Sequence, residues 1–238
     1  MKTFKDGVAV VAKLHICLVY PLNNRKDVPS IWQSFYPRTP MKWEWTEDSD
    51  NRVADMWHLR EKLSHCGKVV YLKWYQGRAT FFSLEAYRLL LAFLDVRKIE
   101  KNLSPNSKKL LDVLHSTSPQ STRLIKKEME WVGRNFESTY ARHMKQLWQC
   151  GLIVGYGEVD DGAFPSLAVG AGELLFELEW RKLIELSPVV AEKKLKALLG
   201  EKSPFFVFAK KVKASLNLSE ARRELKSNPR GAAAAALI

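Results

Sequence analysis

Cysteine is scarce in this 238-residue chain, and its spacing does not suit a disulfide framework. The three residues Cys17, Cys66 and Cys150 are odd in number, lie far apart and form no Cys-x-x-Cys pair. This excludes a disulfide scaffold and indicates reduced thiols. Long apolar runs are also missing, since no stretch reaches the roughly 18 residues of a membrane span. The first residues lack the uninterrupted apolar core of a secretory signal, so we expect a cytoplasmic protein.

Motifs for bound nucleotides, nucleophilic serines and metals are missing as well. The sequence has no Gly-x-x-x-x-Gly-Lys-Ser/Thr loop, no Gly-x-Gly-x-x-Gly loop and no Gly-x-Ser-x-Gly elbow. A catalytic set assembled across the fold stays open, because spacing alone does not reveal one. His58, His65 and Cys66 do not predict a metal site, because the histidines lie two helical turns apart and no fourth ligand is evident. We predict no metal, no nucleotide and no other cofactor.

Acidic residues are outnumbered by basic ones. The chain has 38 Lys and Arg against 26 Asp and Glu, giving a net charge of +12 and a pI near 9.6. The excess lies at the two ends, with +6 over residues 1–105, −2 over 106–180 and +8 over 181–238. This balance favours a polyanionic partner, nucleic acid above all, although a need for solubility would also explain it.

The order of patterns predicts an α+β protein with three segments. Residues 1–105 combine helices with a β-hairpin at 69–82. Residues 106–170 show the helix, helix, turn, helix and hairpin order of a winged helix-turn-helix. Residues 171–238 are predicted to form a basic helical extension that starts with one helix at 173–185 and ends in a frayed tail.

The third helix of the central segment is the candidate DNA-reading element. We predict that Asn135 caps it. One side is apolar at about 100° per residue and should be buried: Phe136, Tyr140, Met144, Leu147 and Gly151. The opposite side and its flank carry groups able to bond base edges: Ser138, Thr139, Arg142, Lys145 and Gln149. Basic residues of the second helix and the turn are predicted to hold phosphates: Arg123, Lys126, Lys127 and Arg134.

Double-stranded DNA is therefore the predicted partner, but two features favour another role. The central segment is slightly acidic, and Asp160 and Asp161 at the hairpin tip would repel a phosphate wall. A winged helix also serves in some proteins only as a protein-interaction module. Partner binding thus stays an alternative.

Three stretches of the chain carry a family resemblance. They are Ile-Cys-Leu-Val-Tyr-Pro at 16–21 followed by Val-Pro-Ser-Ile-Trp at 28–32, Trp-His-Leu-Arg-Glu-Lys-Leu at 57–63 running on through 70–85, and Ser121-Thr122 with His-Met-Lys-Gln-Leu at 143–147. Together they resemble the winged-helix DNA-binding family related to the bacterial AlkZ (YcaQ) crosslink-repair DNA glycosylases. The resemblance covers about residues 14–200.

The resemblance implies DNA binding through stacked winged helices and, in the characterised glycosylases, base excision. Those enzymes use a Gln-x-Asp-type motif to place the attacking water, and this sequence contains no such triplet. We therefore predict DNA binding without that catalytic motif. An active glycosylase remains an alternative, with Glu44, Glu47 or Asp48 as general base beside base-stacking tryptophans. The same tryptophans could instead fill a small core.

Overall fold

A six-stranded antiparallel sheet organises the described part of the molecule, and helices cover both of its faces. The computed structural model describes residues 2–43, 51–160 and 165–227. The predicted α+β class is confirmed.

Twelve α-helices and six strands lie within these ranges. The helices are α1 (Phe4–Leu14), α2 (Ile31–Phe35), α3 (Asn51–Ser64), α4 (Leu84–Leu94), α5 (Val96–Lys101), α6 (Pro105–Ser116), α7 (Thr122–Glu128), α8 (Glu137–Cys150), α9 (Gly172–Leu175), α10 (Glu177–Arg181), α11 (Pro188–Leu199) and α12 (Pro204–Ser227). The strands are β1 (Ile16–Leu18), β2 (Val69–Lys73), β3 (Ala79–Ser83), β4 (Gln120–Ser121), β5 (Ile153–Val159) and β6 (Ser166–Ala171). Short 3₁₀ turns occupy Tyr75–Gly77, Arg134–Phe136 and Lys182–Glu185.

The sheet runs in the order β1-β3-β2-β5-β6-β4 and so joins strands from the first two predicted segments. The junction is the pairing of Tyr71 on β2 with Gly155 on β5. Only a glycine allows this approach, because a Cβ at position 155 would lie 2.3 Å from Tyr71 Cδ1. The division into segments 1–105, 106–170 and 171–238 stays a prediction.

Successive side chains along a strand point alternately into two hydrophobic cores, one on each face of the sheet. On β2, Val70 and Leu72 enter the larger core, whereas Val69 and Tyr71 enter the smaller one. The larger core packs α4, α6, α8, α11 and α12 against the sheet. The smaller core packs α1, α2 and α3 against it. Helix α8 and helix α1 therefore belong to different cores.

Local capping and turn signals predicted several boundaries correctly. The predicted hairpin is formed by β2 and β3. Ser83 Oγ accepts a hydrogen bond from Ala86 N at 3.2 Å at the start of α4, and Ser121 Oγ accepts one from Leu124 N at 3.1 Å at the start of α7. Gly151 closes α8 in the left-handed conformation, with φ of 71°.

The single helix predicted at 173–185 is wrong. The helix is interrupted at Phe176, which lies between α9 and α10 with a non-helical φ of −130° and ψ of 44°. The Phe176 side chain is buried, and its ring centroid lies 5.9 Å from that of Tyr87. Burial of this ring against α4 overrides the local helical propensity.

Aromatic side chains anchor the basic extension. Phe205 and Phe206 of α12 are buried, and the Phe205 ring centroid lies 5.1 Å from that of Tyr75. The 24 residues of α12 span about 36 Å at 1.5 Å per residue. None of the helices described is long and apolar enough to cross a membrane. The tail predicted to fray, residues 228–238, lies outside the described residues.

Candidate nucleic-acid interface

Helix α8 is fixed by one deeply buried side. His143, Met144, Leu147 and Trp148 are each less than a tenth exposed and pack against α6 and the sheet. At the end of the helix, the Tyr87 hydroxyl donates to the Gly151 carbonyl at 2.7 Å. These contacts leave the opposite side of α8 facing solvent.

The predicted buried stripe is wrong at the start of α8. Phe136 is 40% exposed, whereas Tyr140, within α8, packs against the larger core as predicted. The reason is the 3₁₀ turn Arg134–Phe136, which precedes the helix and breaks the α-helical phase before Glu137. The prediction that Asn135 caps the helix is wrong for the same reason, because Phe136 occupies the cap position without a side-chain bond.

The residues predicted to face bases lie along one side of α8. Ser138, Arg142 and Lys145 are exposed, whereas Thr139 and Gln149 are half-buried. The Gln149 carbonyl accepts a hydrogen bond from the indole Nε1 of Trp74 at 3.2 Å, which ties the last turn of α8 to the end of β2. The face is polar and carries two cations.

The residues predicted to hold phosphates lie mostly around one groove of about 630 Å³ between α7 and the start of α8. Arg123, Lys126 and Lys127 line it, while Arg134 lies exposed on the following 3₁₀ turn. Lys126 is engaged, because its Nζ lies 2.7 Å from Glu137 Oε1 and 4.7 Å from the Tyr140 ring centroid. The groove also carries exposed apolar side chains, Leu124 at 45% and Val132 at 67%.

A buried polar network supports α8 from below. The Ser107 hydroxyl donates to Gln146 Oε1 at 2.7 Å and lies 2.8 Å from His143 Nδ1. Because a hydroxyl has one proton to donate, His143 Nδ1 must be the donor in the second bond. His143 Nε2 is then the unprotonated nitrogen, and it is buried without a hydrogen-bond partner among the described residues.

The environment of His143 keeps its ring neutral. Burial lowers the pKa of His143, and the neighbouring positive charge of Arg142 lowers it further. The Trp131 ring stacks on the imidazole at a centroid distance of 5.5 Å. Sequence reasoning missed this network, because Ser107 and His143 lie on different helices and no periodicity connects them.

The β5–β6 hairpin, predicted as the wing, is tied to α3. Arg60 forms an ion pair with Glu158, and these side chains are only 8% and 13% exposed. The Arg60 guanidinium also stacks over the Trp57 ring at 4.1 Å. In addition, Ser64 Oγ accepts a hydrogen bond from Gly157 N at 3.0 Å. The end of the hairpin nearest its turn is thus fixed relative to α3.

The predicted tip and catalytic candidates are only partly described. Asp160 is exposed at the end of β5. Asp161, Glu44, Glu47 and Asp48 lie outside the described residues. Their predicted roles therefore stay predictions.

One side-chain group has metal-ligand composition. Ligand atoms of Glu100, His115 and Glu173 lie within 4.8 Å of one another. Arg97 Nη1, however, lies 2.8 Å from Glu173 Oε1 and 3.7 Å from Glu100 Oε2. The guanidinium already supplies positive charge between the carboxylates, so the group is best described as an ion-pair network.

Comparison with known proteins identifies the family. A family model described as AlkZ related matches residues 1–204. The chain belongs to the AlkZ-related family. The match confirms the predicted relation to AlkZ and so relates the chain to DNA-repair glycosylases, whereas the winged-helix arrangement stays a prediction. It covers α1 to α11 and the whole sheet, and it ends at the residue where α12 begins. Neither the curated proteins nor the solved structures compared with the chain gave a match.

Proposed function

We propose that the protein binds double-stranded DNA, with residues 106–170 acting as a winged helix and α8 as the helix that enters the major groove. The observation that carries the proposal is the polar side of α8. Ser138, Arg142 and Lys145 are exposed there, while Met144 and Leu147 fix the opposite side in the core. A helix held in this way presents its polar groups to base edges and phosphates without rearrangement.

Family membership and element order support the same proposal. Within an AlkZ-related chain, α6, α7, α8 and the β5–β6 hairpin follow one another as in a winged helix. Strand β4 pairs with β6, which places the start of α7 beside the hairpin. We further propose that the protein is cytoplasmic and lacks the family's catalytic motif, in line with the missing Gln-x-Asp triplet.

A salt titration of duplex binding tests the proposal. With about six to eight phosphate contacts, the slope of log affinity against log salt concentration should lie near −5 to −7. Fluorescence anisotropy of a labelled duplex measures it. A flat profile, or no binding at low salt, rules out the proposal.

A matched pair of double variants locates the surface. Arg142→Gln with Lys145→Gln should weaken duplex binding about tenfold or more and make the slope shallower by roughly 2. Lys5→Gln with Lys13→Gln removes the same charge from exposed positions on α1, which packs in the other core. Equal effects of the two pairs would show that α8 is not the contact surface.

A protein-interaction role is the second candidate, and the groove beside α7 favours it. Leu124 and Val132 are exposed next to the cations Arg123 and Lys127, a combination that suits an acidic, partly apolar peptide. In that case a protein partner should stay bound to the wild type after nuclease treatment and should not bind the Leu124→Ser variant. Arg142→Gln should leave duplex binding unchanged. Loss of the partner on nuclease treatment would instead support DNA as the ligand.

Glycosylase activity is tested separately. Incubation with alkylated or crosslinked duplex should release free base if the enzyme alternative holds, and Glu47→Gln should abolish the release. No release from either duplex would remove this alternative and leave DNA binding as the function.

A further inference from the structure

Helix α12 lies beyond the part of the chain that the family model matches, yet it is firmly seated on the body of the protein. The matched region ends at residue 204, where α12 begins. Phe205, Phe206, Ala209 and Val212 are buried, so the first two turns and more are part of the larger core. The helix is therefore an addition with a defined position.

This position brings α12 near one edge of α8. The Phe208 ring centroid lies 4.9 Å from that of Trp74, whose indole bonds to the Gln149 carbonyl in the last turn of α8. Farther along, a cavity of about 130 Å³ is bordered by Gln146 of α8 together with Lys213, Leu216 and Asn217 of α12. Helix α12 thus packs directly on α4 and α11 and meets α8 across this cavity and through Trp74.

The charged side chains in this part of α12 are all basic. Residues 204–218 contain Lys210, Lys211 and Lys213 and no acidic residue. Lys211 is exposed three residues after Phe208, so it lies near the same side of the helix. Lys213 is half-buried above the Phe93 ring, with Nζ 4.1 Å from the ring centroid, and borders the shared cavity. On α5, Lys98 borders the same cavity.

We infer that α12 is a second phosphate-contact element, which flanks α8 and holds the backbone of the same duplex through Lys211 and Lys213. The inference rests on the proposed DNA-binding function of α8. A helix in the major groove, about 12 Å wide, has phosphates along both of its sides. Lys213 of α12 borders the same cavity as Gln146 of α8, so the α12 lysines lie on one flank of α8, within reach of one wall of the groove.

The arrangement also accounts for the charge distribution. Residues 106–180 carry a net charge of −2, whereas residues 181–238 carry +8. Non-specific attraction to DNA comes mainly from cations near phosphates. Helix α12 brings part of this C-terminal positive charge close to α8, whose own segment has a net negative charge.

Charge-neutral substitution on α12 in the full-length chain tests the inference. Lys211→Gln with Lys213→Gln should weaken binding of a labelled duplex at least fivefold at about 0.1 M salt and make the salt slope shallower by about 2. Lys211→Arg with Lys213→Arg should bind like the wild type, since the charges are kept. Lys5→Gln with Lys13→Gln on α1 is the control for the change in net charge. Circular dichroism confirms that each variant keeps its helices.

The outcomes separate this inference from the proposed function. If the α12 variant behaves like the α1 control while Arg142→Gln with Lys145→Gln weakens binding, the α12 inference is overturned and α8 remains the contact surface. If the wild type does not bind duplex at low salt, both proposals fail. A loss confined to the α8 and α12 variants, with the α1 control unchanged, supports both.

Discussion

Arg60 and Glu158 form a deeply buried ion pair that connects α3 to the β5–β6 hairpin. Removing one partner leaves the other charge buried and unpaired, so Arg60→Met should lower the free energy of unfolding by about 3–5 kcal/mol. Arg25→Gln breaks an exposed pair with Asp27, whose partners are 54% and 57% exposed, and should lower the free energy of unfolding far less. Urea denaturation compares the two, and equal losses would contradict the buried-pair interpretation.

His143 should make stability depend on pH. Its pKa is lowered in the folded protein by burial, so the unfolded chain binds a proton at higher pH than the folded one. The contribution is therefore present above the ordinary pKa of 6.5 and is lost as pH falls below it. The difference in free energy of unfolding between wild type and His143→Gln should shrink from about pH 7.5 to about pH 5.5.

A matched histidine variant controls for the other titrating groups. His58 is exposed on α3. His58→Gln, measured over the same pH range, is the comparison for removal of an exposed histidine. A His143→Gln difference that stays constant would show that the folded structure does not favour the neutral form of His143.

At the scale of secondary-structure elements, the pairing of β2 with β5 depends on a missing side chain. In Gly155→Ala the new methyl group would meet the buried Tyr71 ring at 2.3 and 2.8 Å, so we expect a loss of about 1–3 kcal/mol from overpacking. Tyr71→Val makes room, and adding Gly155→Ala to it should cost much less than adding it to the wild type. Thermal or urea unfolding measures both, and additive losses would contradict a direct clash.

The elements that could be predicted are those with local determinants. Ser83 and Ser121 cap their helices through bonds to the third residue on, and Gly151 supplies the left-handed end of α8. These signals lie within four residues of the boundary that they set, so the sequence alone reveals them. The exposed side of α8 was also predictable, because helical periodicity places Ser138, Arg142 and Lys145 together.

The features that could not be predicted depend on contacts between distant residues. The break at Phe176 comes from its burial against Tyr87, and the shifted start of α8 comes from a 3₁₀ turn without a sequence signature. The support under α8 joins Ser107 to His143 across two helices. For the same reason the indirect link between α12 and α8, from Phe208 through Trp74 to Gln149, is visible only in the structure.

At the scale of the whole molecule, one sheet and one large core connect the three predicted segments. Phe82, Leu147 and Phe206 come from the first, second and third segments, and all three belong to the larger core. Strand β2 of the first segment pairs directly with strand β5 of the second, so one sheet spans both segments. The surface of α8 and α12 that we propose contacts DNA thus belongs to a single packed body, which keeps the two helices in a fixed relation.

Shared packing predicts that the described chain unfolds as one cooperative unit. Tryptophan fluorescence reports on Trp32 and Trp74 in the first segment and on Trp131 and Trp148 in the second, whereas far-ultraviolet circular dichroism reports on helices throughout. The two probes should give one coincident urea transition, because loss of either side of the sheet exposes the core of the other. Gly155→Ala should move both curves by the same amount. Two separate midpoints, or a shift in only one probe, would instead show that residues 1–105 and 106–170 are independently stable domains.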